Sequence, residues 1–61
     1  MKVRDVIKVV EADGWIRVRT KGSHRVYKHP VKPGHVVIPG HPGDDMRPGT
    51  LDNILKQAGL K

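Results

Sequence analysis

Twelve Lys and Arg against six Asp and Glu in 61 residues give a formal net charge of +6 and an isoelectric point near 10.2, the electrostatic footprint of a nucleic-acid binder. A chain this short buries a small core and has little room for a deep pocket, so an extended surface substrate fits it better than an engulfed metabolite. No cysteine is present, which excludes disulfide stapling and a thiolate zinc site, and the short apolar runs lead us to expect a soluble, cytoplasmic protein with no membrane association.

Val3, Val6, Ile7 and Val10 recur at i, i+3, i+4 and i+7, which predicts an amphipathic helix over residues 3–13. The β-branched valines also leave residues 6–10 open to a strand. Asp13-Gly14 reads as the helix stop. From Trp15 to His29 apolar and basic residues alternate about Lys21-Gly22, which predicts a hairpin. With Lys21 and Gly22 as its loop, Arg19 faces His24, Arg17 faces Val26 and Ile16 faces Tyr27. Ile16, Val18 and Tyr27 then point to a core, while Arg17, Arg19, His24 and Lys28 point to solvent. Trp15 and Val26 fall on the polar face in this register, and a bulge or longer turn would exchange the faces of one strand. In so small a domain Trp15 and Tyr27 are expected in the core rather than stacked on bases.

Pro33-Gly34 marks a second turn, and His35 to Ile38 predicts a third strand ended by Pro39-Gly40. Residues 39–49 are too rich in Pro and Gly for a long element and read as a surface connection. Leu51, Ile54, Leu55 and Ala58 then predict a helix with Thr50 as N-cap and Gly59 just beyond its end. The expected fold is one α+β domain over residues 1–61, in the order α-β-β-β-α, with a three-stranded antiparallel sheet and two helices on one face.

Between Asp13 and Asp44 there is no carboxylate, yet the interval holds Arg17, Arg19, Lys21, Arg25, Lys28, Lys32 and all four histidines. A polyanion is the natural partner of such a surface. Within it, Lys21-Gly22-Ser23-His24 places an imidazole beside a flexible glycine and a hydroxyl. A histidine exchanges protons near neutral pH, and RNA carries its own nucleophile, the 2′-hydroxyl, so a positioned His24 suffices to begin strand cleavage. Gly22 lets the backbone approach a phosphate, turn N–H groups and the Ser23 hydroxyl can bind its oxygens, and the nearby cations can neutralise developing charge. Arg17, Arg19, Lys21, Gly22, Ser23, Arg25 and Lys28 are the expected RNA-binding set. The second proton-transfer group is open among Tyr27, Lys21, another histidine and water. His24, His29, His35 and His41 lack metal-ligand spacing, and neither metal nor cofactor is expected. The plainer reading of the tetrapeptide is a turn glycine followed by a surface histidine, and the rival function is an RNA-binding module that does not cut.

Asp13-Gly14-Trp15, Arg19-Thr20-Lys21-Gly22-Ser23-His24, Tyr27-Lys28-His29-Pro30, Val36-Val37-Ile38-Pro39, Gly49-Thr50-Leu51 and Ile54-Leu55-Lys56-Gln57-Ala58-Gly59-Leu60 together resemble the HicA toxin family, in order and spacing, over residues 3 to 60. The resemblance implies a fold like the double-stranded-RNA-binding domain. It further implies a ribosome-independent mRNA interferase whose essential histidine corresponds to His24, and a HicB antitoxin that masks the active surface. A member that has lost toxicity and mainly engages its antitoxin is a third reading, against which an intact His24 counts.

Overall fold

The computed structural model describes all 61 residues. The first helix, α1, runs Val3–Ala12 and buries Val3, Val6 and Val10 on one stripe, so tertiary packing overrides the weak helix propensity of valine. Its first turn is anchored from both sides. The Lys2 N–H donates to the Asp5 carboxylate at 3.3 Å, and the otherwise orphaned N–H groups of Val3 and Arg4 donate to the carbonyls of Asp44 and Pro42 at 2.9 and 3.1 Å. The Pro/Gly-rich connection is therefore the cap of α1 as well as a link to the second helix.

The second helix, α2, runs Pro48–Gln57 and buries Ile54, with Ala58 just beyond it. It starts before the expected N-cap at Thr50. Arg47 occupies the N-cap and Pro48 the first turn, where the fixed φ suits a helix and no N–H is missed. Both helices end in the same hydrogen-bonded motif. In α1 the Gly14 N–H bonds Glu11 O and the Trp15 N–H bonds Val10 O; in α2 the Gly59 N–H bonds Lys56 O and the Leu60 N–H bonds Leu55 O.

Three strands, β1 Ile16–Lys21, β2 His24–Lys28 and β3 His35–Ile38, form an antiparallel sheet in the order β1-β2-β3. The order α-β-β-β-α and the three-stranded sheet are as expected; the hairpin register is not. Arg17 pairs with Tyr27 and Arg19 with Val26, so Val18 is the extra residue of a bulge, and Thr20 pairs with Arg25 and Lys21 with His24. The two loop residues are thus Gly22 and Ser23 rather than Lys21 and Gly22. The bulge lets Trp15 and Tyr27 both point inward, where each is buried, and it sends Ile16 and Val18 out to 60% and 54% exposure instead of into a core. Two ten-residue helices, each about 15 Å long, cover β2 and β3 and leave every residue of β1 exposed.

The core is one cluster of ten residues in which Trp15, Tyr27, Val36, Ile38 and Met46 meet the helix stripes. At its rim the β2–β3 loop closes onto both helix ends. His29 Nε2 lies 2.8 Å from Asp13 O, while its Nδ1 accepts the N–H groups of Val31 and Lys32 at 3.0 Å, so the proton resides on Nε2. Lys32 Nζ pairs with the Asp13 carboxylate and donates to Ala58 O at 3.0 Å, and the Trp15 indole N–H donates to the same carbonyl at 3.3 Å.

Gly14 has φ +101°, and a Cβ there would stand 2.8 Å from His29 Nε2, whereas Gly22 has φ +59° with open space around it. Gly14→Ala should cost about 2 kcal/mol or more in urea unfolding, and Gly22→Ala about 1 kcal/mol from backbone conformation alone. The Lys32 ammonium bonded to Asp13 holds that carboxyl below its ordinary 3.8. A lowered folded value contributes stability that is fully present above 3.8 and is lost as the pH falls through the folded value. Acid unfolding of wild type should accordingly show a component in that window that is absent from Asp13→Asn.

Candidate active site

The tip of the β1–β2 hairpin is built by Gly22 and Ser23. Gly22 takes φ +59° and no other residue type in the chain has positive φ, so the loop meets the requirement of a two-residue type II′ turn, with glycine first and an ordinary residue second. The tight turn sets His24 as the first residue of β2, directly opposite Lys21. Side chains at such paired positions have Cβ atoms about 4.5–5.5 Å apart and share a face.

Alternation from this pair sorts the rest. Val36, Ile38 and Tyr27 are buried and define the inner face that the helices cover. Arg17 and Arg25 fall on that side, by pairing with Tyr27 and by alternation with it. His24, Val26 and Lys28 alternate to the outer, open face, joined there by Lys21, Arg19 and Ile16 of β1 and by Val37 and His35 of β3. The structure therefore brings His24, Lys21 and Arg19 together on one face, with Lys28 farther along it, roughly 13 Å from His24 at about 3.3 Å per residue. Arg17, expected beside them, is on the opposite face because of the Val18 bulge. Arg25 is also withdrawn: its Nη1 donates to Gly40 O at 2.7 Å and to Ser23 O at 3.3 Å.

Of the four histidines only His24 stands at the turn. His29 is held in the loop network beneath Trp15, with ring centroids 5.2 Å apart and edge-on. His35 lies opposite Lys28 at the far end of the open face, and His41 lies in the connection after β3. No three potential metal ligands come together. Tyr27, one of the groups considered for the second proton transfer, is buried on the inner face, and burial raises its phenol above 10. The hydroxyl is thus protonated and turned away from His24.

The chain's electrostatics concentrate on the same region. Lys2, Lys32, Lys56 and Lys61 pair with Asp45, Asp13 and Asp52, whereas Arg17, Arg19, Lys21 and Lys28 of the hairpin pair with no carboxylate. Arg4, Lys8 and Arg47, which lie outside the acid-free interval, are also unpaired. The one cleft, about 180 Å³ between Val3, Pro39, Gly40, Met46, Arg47 and Thr50, excludes His24. Chemistry at His24 would take place on an open surface, suited to a long flexible polyanion. No helix is long and apolar enough to cross a membrane.

Comparison with curated proteins finds no match. The family model described as the HicA toxin of bacterial toxin–antitoxin systems matches residues 3–60, nearly the whole chain, including the turn, the sheet and both helices. With that coverage the chain belongs to the HicA toxin family, the toxin half of a pair whose other half is an antitoxin.

Proposed function

We propose that this toxin is an endoribonuclease that cuts mRNA in the cytoplasm without a metal ion, arresting translation and growth, with His24 as general acid or base. The observation that carries the reading is the position of His24: exposed, on the open sheet face, at a glycine-led turn and opposite Lys21. In the reaction the 2′-hydroxyl oxygen bonds to the adjacent phosphorus and the bond from phosphorus to the 5′-oxygen breaks. The products are a 2′,3′-cyclic phosphate and a 5′-hydroxyl. His24 either removes the 2′-hydroxyl proton or protonates the leaving 5′-oxygen, and Lys21 or water supplies the complementary transfer. Lys21 and Arg19 stabilise the negative charge that develops on the phosphate oxygens. Gly22 and Ser23 admit the backbone of the turn to that phosphate, while Lys28 holds RNA farther along the face.

The proposed partner is a HicB-type antitoxin that covers the same face. Arg19, Lys21 and Lys28 would steer an acidic protein toward it, and Val26, Val37 and Ile16 offer an apolar centre among those cations.

Purified protein incubated with RNA in excess chelator should produce 2′,3′-cyclic phosphate ends. His24→Ala should lower the rate by about 10²–10⁴-fold with little change in stability, since the imidazole is exposed. RNA binding without cleavage by wild type would instead identify a binding module, and activity restored only by a divalent ion would displace the imidazole scheme. Titrating HicB into His24→Ala protein bound to RNA should release the RNA. A ternary complex with unchanged RNA affinity would refute direct masking.

A further inference from the structure

We propose that Arg25 is a positioning residue, which locks the catalytic turn to the loop after β3, and that it does not contact RNA phosphate; the inference rests on the reading of His24 given above. β3 pairs with β2 only from Arg25↔Ile38 to Lys28↔His35, because Pro39 follows and has no N–H to extend the ladder. Lys21, Gly22, Ser23 and His24 consequently project past the third strand as a two-stranded ribbon. Such a ribbon is weakly held by itself, since a lone hairpin is marginal in water.

Arg25 is the tie that the structure places on this tip. Its Nη1 donates to Ser23 O within the turn and, at 2.7 Å, to Gly40 O in the connection beyond β3. Hydrogen bonds from a charged donor are short and strong. The connection is itself fixed, because Asp44 O and Pro42 O cap the first turn of α1. A continuous path thus runs from α1 through residues 40–44 and Arg25 to Ser23, the residue before His24. The Arg25 side chain issues on the inner face, opposite to His24, Lys21 and Arg19. A phosphate held by His24 would lie across the sheet from it.

The test separates positioning from phosphate contact. On a His24→Ala background, binding of a fluorescein-labelled single-stranded RNA of mixed sequence is measured against salt concentration. Each lost phosphate contact to a single strand lowers the slope of log affinity against log salt by about 0.7. Arg25→Gln and Arg25→Lys should leave affinity and slope unchanged, whereas Arg19→Ala should lower the slope by that amount. With His24 intact, both Arg25 variants should cut the single-turnover rate at saturating RNA, by up to about 10²-fold, because misplacing a catalytic group by an ångström costs that much. Both bonds leave one nitrogen, Nη1; lysine keeps the charge and has donors enough, but its nitrogen ends one bond short of that position, so it should not rescue. Amide exchange at Gly22, Ser23 and His24 should accelerate in Arg25→Gln while exchange in α1 and β3 does not, which separates a loosened tip from an unfolded protein. A slope loss like that of Arg19→Ala, or full activity in Arg25→Lys, overturns the proposal alone. A wild-type protein that does not cleave overturns the reading of His24 on which it rests.

Discussion

The rest of the structure depends on the convergence of both helix C-termini upon one loop. Asp13 O and Ala58 O lie at the negative ends of α1 and α2, and each is answered from outside its own helix: the first by His29, the second by Trp15 and Lys32. The Lys32 ammonium joins the two by also pairing with the Asp13 carboxylate. In a chain with ten core residues, hydrophobic burial alone leaves little margin to set the relative placement of two short helices. Directional bonds from a loop between two strands supply that placement and tie it to the sheet.

The same arrangement explains why the histidines have different fates. At His29 both ring nitrogens are engaged, one as donor and one as acceptor of two backbone N–H groups, so the ring is a structural bracket. At His24 the ring stands on an open sheet face, next to a cation and free of the helices. An imidazole engaged at both nitrogens has no valence left for a substrate, whereas an exposed one does.

Charge is sorted in the same way. The carboxylates sit on the helices, at their ends and in the connection, and five of the six are engaged: Asp5 at the start of α1, Asp13 at Lys32, Asp44 at the His41 N–H, Asp45 at Lys2, and Asp52 at Lys56 and Lys61. The cations of the hairpin are left without acids and, with Arg4, Lys8 and Arg47, carry the excess positive charge. Two of them, Arg17 and Arg25, are turned to the helix side, so the open face presents a narrower basic set than the stretch from Asp13 to Asp44 suggests. Arg25 divides its hydrogen bonds between Ser23 O in the turn and Gly40 O beyond β3.

Much of the fold was legible in local pattern. The valine stripe, Asp13-Gly14, the run His35 to Ile38 and the Ala58-Gly59 stop each express a period or a backbone requirement within a few residues, and each appears as an element or its end. Gly22 beside His24 was likewise readable as a turn next to a group able to move protons. What the sequence could not determine by itself was the face on which each hairpin residue lies. Ile16 and Val18 look like core residues in any local window. Only the joint burial of Trp15 and Tyr27 against two helices makes a bulge at Val18 favourable, and that bulge reverses the face of Arg17. The burial of Met46 and the use of Arg25 as a tie have the same origin, since each depends on a partner far away in the chain, whereas the start of α2 at Pro48 rather than Thr50 is a local preference for proline in the first turn of a helix. Periodicity is a property of neighbours in sequence and reports elements. Register, facing and polar ties between elements are decided by which distant groups must be buried or bonded together, and these only the tertiary structure brings into contact.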